Sequence, residues 1–244
     1  MKIDICLVSC NNNEKYYSFY PYIKQIWEKK FGIKCILIFV GNNNELPEIL
    51  KPYFEDIIIY QPKNNMHTAF IAQNIRLLYP ALLSCENGII ISDIDIIPIS
   101  KKYFVNQIEQ FSSNSFINLT YEDKCDIIKE YYICYNIANS TTWSDIFNIK
   151  TVEDIDNLLY DWYNNINYIY NDKYRSKCLG FHNDQLMLYK YINLFQEKDR
   201  IELISKKIRR FDIGVNKIIK NKDKLANDIN DDLFDDFHLP KKIN

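Results

Sequence analysis

Two acids set two residues apart, Asp93 and Asp95, stand inside the run Asn87-Gly88-Ile89-Ile90-Ile91-Ser92-Asp93-Ile94-Asp95-Ile96-Ile97-Pro98. The isoleucines around them, bounded by Gly88 and Pro98, predict a short buried strand. In an extended chain residues two apart point to one side, so both carboxylates would face the same way. Like charges brought together out of water are costly unless a cation or hydrogen-bond donors lie between them. A hard divalent ion, Mn2+ or Mg2+, prefers such oxygen ligands. The chemistry suggested is a metal under a nucleotide diphosphate. The alternative is a pair of carboxylates that cap a strand end and face water. Asp154-Ile155-Asp156 has the same spelling, but its neighbours from Val152 to Leu159 recur at helical spacing and predict a solvated helix face.

The elements that must position this pair repeat strand, helix, strand. Ile3 to Ser9 predicts a first buried strand, closed by the polar turn Cys10-Asn11-Asn12-Asn13. Apolar and aromatic residues from Lys15 to Lys30 have helical spacing, with Pro21 an irregularity near the start. Lys34 to Val40 predicts a second strand, a short helix follows around Glu48, and Asp56 to Tyr60 predicts a third strand. Met66 to Leu83 predicts the helix that delivers the chain to the acid strand. Arg76 lies inside it, either as a surface residue with a packed stem or as a cation reaching phosphate or sugar hydroxyls. This repetition predicts an α/β fold: a Rossmann-like domain with a mostly parallel central sheet flanked by helices.

Farther on, Phe116 to Thr120 and Tyr131 to Asn136 predict strands, and Ser140 to Tyr170 is more helical. Asn183-Asp184-Gln185 opens another helix, with Asn183 or Asp184 as its cap. Arg200 to Ser205 predicts a late strand, Lys217 to Asp232 a charged surface helix or mobile segment. Aromatic anchors return at Phe234 and Phe237. There is no internal repeat, and a single domain is expected.

Composition narrows the function classes. A chain of 244 residues suffices for one large α/β domain. Its net charge of -2 supplies no basic field for nucleic acid. With only 5 glycines and no Rossmann or P-loop pattern, phosphate binding would fall to metal and basic side chains. The 7 cysteines are scattered without a Cys-x-x-Cys pair, which points away from a zinc or disulfide framework and toward a reducing compartment. No signal-peptide pattern or membrane-length apolar run is present, so a cytoplasmic location is expected, in the host cytoplasm for a viral protein. Trp143 and Trp162 are expected in the core rather than on a sugar.

The order of these parts resembles a GT-A-fold glycosyltransferase, closest in pattern to the glycogenin and galactosyltransferase-like group and to small glycosyltransferases of large DNA viruses. Leu7 to Asn13 resembles that family's nucleotide-base pocket. Arg76 to Leu83 followed by Ile89 to Asp95 resembles its arginine helix leading into the Asp-x-Asp strand. Asn183 to Leu188 resembles its Asp-Gln element under the acceptor, and His238 with Lys241 its late metal-binding histidine and diphosphate-binding lysine. There are departures. Ala138 stands near where the family often has glycine, and Leu239-Pro240 precede Lys241 without the family's glycine.

The resemblance implies a metal-dependent transfer of a sugar from a nucleotide-diphosphate sugar, UDP favoured, to a hydroxyl of a glycan or glycoprotein. It implies residues 1–100 as the nucleotide-binding half and 101–244 as the acceptor half. Asp95 is the first choice as metal ligand, Asp93 binds metal or ribose and sugar, and His238 is the third ligand. Lys241 closes over the diphosphate together with Lys242. Ser9, Asn11 and Tyr16 contact base and ribose. Asp184 does acid/base work if the reaction inverts, and Asp184 or Gln185 supports oxocarbenium character if it retains. Three rivals are a haloacid-dehalogenase-like phosphatase, a nucleotidyltransferase, and a non-catalytic nucleotide-sugar-binding module. The phosphatase usually carries its Asp-x-Asp on the first strand, whereas two strand-helix units precede it here.

Overall fold

In this computed structural model the described residues are 1–171, 179–205, 208–212 and 234–238. Strand β1 (Ile3–Asn11) pairs in parallel with β2 (Lys34–Val40), which pairs in parallel with β3 (Ile57–Tyr60). Between β1 and β2 the expected single helix is broken. Helix α1 (Glu14–Tyr17) stops, α2 (Tyr20–Ile26) restarts with Pro21 in its first turn, and a wider π-type turn, Trp27–Phe31, ends at Gly32. Proline is tolerated there because first-turn N–H groups have no intrahelical partner. Gly32 takes a left-handed φ of 72°, which a residue without Cβ adopts at no steric cost.

Helix α3 (Thr68–Leu78) follows β3 and packs on β1 and β2. Its N-cap is His67, whose Nδ1 accepts from the Ala69 N–H at 3.2 Å. Pro80 cannot continue the ladder, and a 3₁₀ turn, Tyr79–Leu82, takes over. The chain then enters β4 (Gly88–Ile91), parallel to β1, whose three isoleucines are fully buried. A parallel strand covered on both faces reads as such a continuous apolar run.

The predicted strand through Asp95 ends four residues early. Ser92 still donates its N–H to the Leu7 carbonyl at 3.0 Å, but Asp93 to Asp95 form a turn closed by Ile96 N–H to Asp93 O. On the other side β7 (Asn136–Ala138) also runs out, because Tyr135 takes a left-handed φ of 66°. β1 itself runs on to Asn11 against β2, but its pairing with β4 stops at Leu7, and no β7 ladder holds the chain extended from the other side. Ile94 and Ile96 are buried all the same, in the turn and in β5 (Ile96–Pro98). The expected strand over Tyr131 to Asn136 likewise begins only at Asn136.

The large sheet is completed by β6 (Phe116–Asn118), antiparallel to β7, and β8 (Ile201–Leu203), parallel to β6, giving the order β3-β2-β1-β4-β7-β6-β8. This is a single α/β domain with a mostly parallel seven-stranded sheet between helices. Helices α4 (Lys124–Ile128), α5 (Ser140–Phe147), α6 (Val152–Ile166) and α7 (Asn183–Leu194) complete the described set. Trp143 and Trp162 are buried. A second, three-stranded sheet joins β5 to β9 (Arg210–Asp212) through β10 (Asp236–His238), which runs antiparallel to β5 and parallel to β9. The segment expected over Lys217 to Asp232 lies outside the described residues.

Asp154-Ile155-Asp156 is helical, but only in part a solvated face. Asp154 closes a capping box with Thr151, whereas Asp156 is buried, accepting from the Tyr60 hydroxyl and pairing with Lys63. Asp156→Ala is expected to cost about 1–3 kcal/mol, because the buried Tyr60 hydroxyl loses its acceptor. Urea unfolding checks this, and Tyr60→Phe with Asp156→Ala should cost less than the two changes summed.

Candidate active site

At the carboxyl ends of β1 and β4, where open α/β sheets bind ligands, lies a cavity of about 260 Å³. Ser9, Asn11, Tyr16, Arg76, Asp93, Asp95, Asp184, Gln185 and His238 all line it. Lys241 and Lys242 lie outside the described residues. Ser9 and Asn11 end β1, their side chains donating to the Ala72 carbonyl and to Thr68 Oγ1. Ala69, Ala72, Gln73 and Arg76, spaced three and four apart, present one face of α3 to the cavity.

Arg76 is not a surface residue; its side chain is 9% exposed. Its Nη1 donates to Asp93 Oδ1 and to the Ser92 carbonyl, and its Nη2 to Asp184 Oδ2 at 3.3 Å. One guanidinium thus ties the end of the β4 segment to the first turn of α7. Gln73, which the sequence reading did not single out, donates to Asp184 Oδ1 at 2.8 Å and to the Phe181 carbonyl. Its place one turn before Arg76 on the same face was the available signal. The cap of α7 also differs from expectation. His182 occupies the N-cap without a side-chain cap bond, while Asn183 and Asp184 are buried inside the first turn. Asn183 Nδ2 donates to Asn74 Oδ1 at 2.8 Å, which draws α7 onto α3.

The second oxygen of Asp93 accepts from the Cys134 thiol at 2.6 Å. Cys134 carried no sequence signal. Burial works to raise the Asp93 carboxyl, but Arg76 and the thiol hold it below the usual carboxylate range. Asp184 goes the other way. Burial pushes its carboxyl up, and Arg76 and Gln73 offset only part of that. A depressed carboxyl contributes stability above its ordinary value that is lost as pH falls through the lowered one. A raised carboxyl contributes stability below its ordinary value that is lost as pH rises through the raised one. Unfolding free energy measured against pH should therefore fall as pH rises through the raised Asp184 range, and Asp184→Asn should flatten that limb.

His238 and Asp95 meet because β10 pairs with β5, setting His238 opposite Ile96. The imidazole Nε2 is 3.4 Å from Asp95 Oδ2. Among the described residues no three acids, histidines or cysteines gather as a metal cage. Of the three expected ligands, Asp95 and His238 lie side by side, whereas both oxygens of Asp93 accept hydrogen bonds from Arg76 and Cys134. A carboxylate oxygen and an imidazole nitrogen on a cavity wall fit Mn2+ or Mg2+ that takes its other ligands from phosphate and water.

A second cavity, about 360 Å³, adjoins the first and shares Asp93, Ile133 and Gln185 with it. Cys134, Glu122, Tyr132 and Arg210 line its far side. Arg210 is held by Asp236, whose carboxylate also accepts from the Tyr135 hydroxyl at 2.8 Å.

Among solved structures the chain is similar to galactosyltransferase LgtC, determined with donor and acceptor sugar analogs. The likeness has a TM-score of 0.50 at 13% identity and covers 97% of this chain and 87% of LgtC. The fold is that of a GT-A glycosyltransferase. Looser likenesses are to the glycosyltransferase GlyE of Streptococcus pneumoniae (TM-score 0.45, 12% identity, 98% of this chain and 55% of that one) and to the mannosyltransferase PcManGT of Pyrobaculum calidifontis, solved with GDP-Man and Mn2+ (TM-score 0.40, 8% identity, 85% and 55%). No family model and no curated protein sequence matches the chain. No helix among the described residues is long and apolar enough to cross a membrane.

Proposed function

We propose that the protein is a metal-dependent glycosyltransferase that moves a sugar, hexose favoured, from a nucleotide-diphosphate sugar, UDP favoured, to a hydroxyl of a glycan or glycoprotein acceptor. The observation that carries this reading is the meeting of Asp95 and His238, far apart in sequence, on the wall of a cavity at the sheet's carboxyl edge. Residues 1–100 would form the donor half and residues 101–244 the acceptor half.

Asp95 and His238 would hold Mn2+ or Mg2+, whose charge stabilises a departing nucleoside diphosphate when bound. Ser9, Asn11 and Tyr16 line the cavity where base and ribose would lie, and Lys241 would close on the diphosphate. Arg76 orders the wall by holding Asp93 and Asp184 at once. Both oxygens of Asp184 already accept hydrogen bonds. Its proposed task is to carry negative charge beside a sugar developing oxocarbenium character, with Gln185 facing the acceptor. The phosphatase reading requires Asp93 as a nucleophile, and both of its oxygens are taken.

Incubation with Mn2+ and a panel of nucleotide-sugars, with nucleoside diphosphate release measured, tests the proposal. Release that requires the metal supports it. Phosphate release from a phosphomonoester without nucleotide would favour the phosphatase, and metal-dependent binding without turnover the binding module.

A further inference from the structure

Asp93 lies in the wall that the two cavities share with Ile133 and Gln185, and it is held from both sides. Arg76 lines the first cavity and donates to Oδ1; Cys134 lines the second and donates to Oδ2. The terminal torsion of an aspartate is soft, so one contact leaves its plane free to turn. Contacts on both oxygens fix it.

The backbone around Cys134 is itself pinned. Its carbonyl accepts from Thr120 Oγ1 at 3.2 Å, and the next N–H, that of Tyr135, donates to the Ile91 carbonyl at 2.7 Å. Tyr135 keeps its left-handed φ while its hydroxyl is held by Asp236. An immobile platform of this kind is what a precise side-chain contact needs. A cysteine thiol is a hydrogen-bond donor, and here it is aimed at a carboxylate oxygen. A cysteine serving only as core filling would sit against apolar groups, and this one sits against a carboxylate.

We infer that Cys134 is a positioning residue for Asp93: its thiol, at the wall of the second cavity, fixes the plane of the carboxylate that Arg76 grips from the first. The kinetic consequence rests on the glycosyltransferase reading, whereas the contact itself does not.

Two measurements test it. In the transferase assay Cys134→Ala should lower kcat about tenfold, the loss expected for a hydrogen bond to a charged group, while leaving the donor KM nearly unchanged. Cys134→Ser, whose hydroxyl also donates, should restore most of that loss. A purely structural role would move stability without this split or this rescue. Independently of activity, the infrared S–H stretch of Cys134, isolated by subtracting the spectrum of Cys134→Ser or Cys134→Ala, should lie low in frequency, as for a bonded thiol. It should move up in Asp93→Ala. An S–H band indifferent to Asp93→Ala, or an alanine variant with unchanged kcat, overturns the inference. If the wild type releases no nucleotide from any donor, the transferase reading fails and the infrared band alone decides the positioning.

Discussion

Arg76→Ala is expected to lose about 3–5 kcal/mol of folding stability, the cost of stripping a partner from buried charges. Asp184, 2% exposed, would be left with Gln73 and one backbone N–H, and Asp93 with the Cys134 thiol. The guanidinium's own desolvation tempers the net worth of the cluster, so the penalty arises from breaking the set rather than from its presence. Asp184→Asn should therefore repair part of the damage, and the double variant should be more stable than the two single losses summed. Arg76→Lys should recover less than its charge suggests, since an ammonium cannot span two carboxylates as a planar fork does. Urea unfolding of the four variants beside the unsubstituted protein gives the answer. A loss below about 1 kcal/mol, the usual size for an exposed pair, would mean that the charges reach water after all.

Asp95→Ala should act in the opposite manner, abolishing function while sparing the fold. Metal-dependent nucleoside diphosphate release is expected to fall at least about a hundredfold, the scale on which lost electrostatic stabilisation of a leaving group is felt. Among the described residues this carboxylate pairs with His238, so its removal should leave the fold standing. His238→Ala should match the defect, and the double variant should be scarcely worse than either, because groups that act as one unit are not additive. A threefold or smaller change in either single variant would remove these residues from the metal site.

How far the sequence foretold these features depends on whether the signal was local. Strand β2 was legible to the residue, because Lys34–Val40 is an apolar run ended by Gly41. Strand β4 was read too long, since Ile94 and Ile96 spell the same pattern in a turn and a new strand as in one continuous strand. What ends it is that its ladders to β1 and to β7 both stop at Ile91, a fact about pairing and not about the run itself. Asp156 was taken for a surface acid because its partner, the Tyr60 hydroxyl, lies in a distant strand. The same blindness hid Cys134. His238 was singled out only through the family resemblance; nothing in its own neighbourhood marks it. Arg76 was noticed, but its two-way grip on Asp93 and Asp184 required coordinates.

The short strand that brings His238 home also sets a timetable. Nearly all of the large sheet can form while the ribosome is still at work, since its pairings lie within the first 203 residues. The imidazole joins Asp95 only after residue 238 has left the exit tunnel and β10 has found β5. If Asp95 and His238 hold the metal as proposed, a nascent chain would be folded yet inert until synthesis has passed that point.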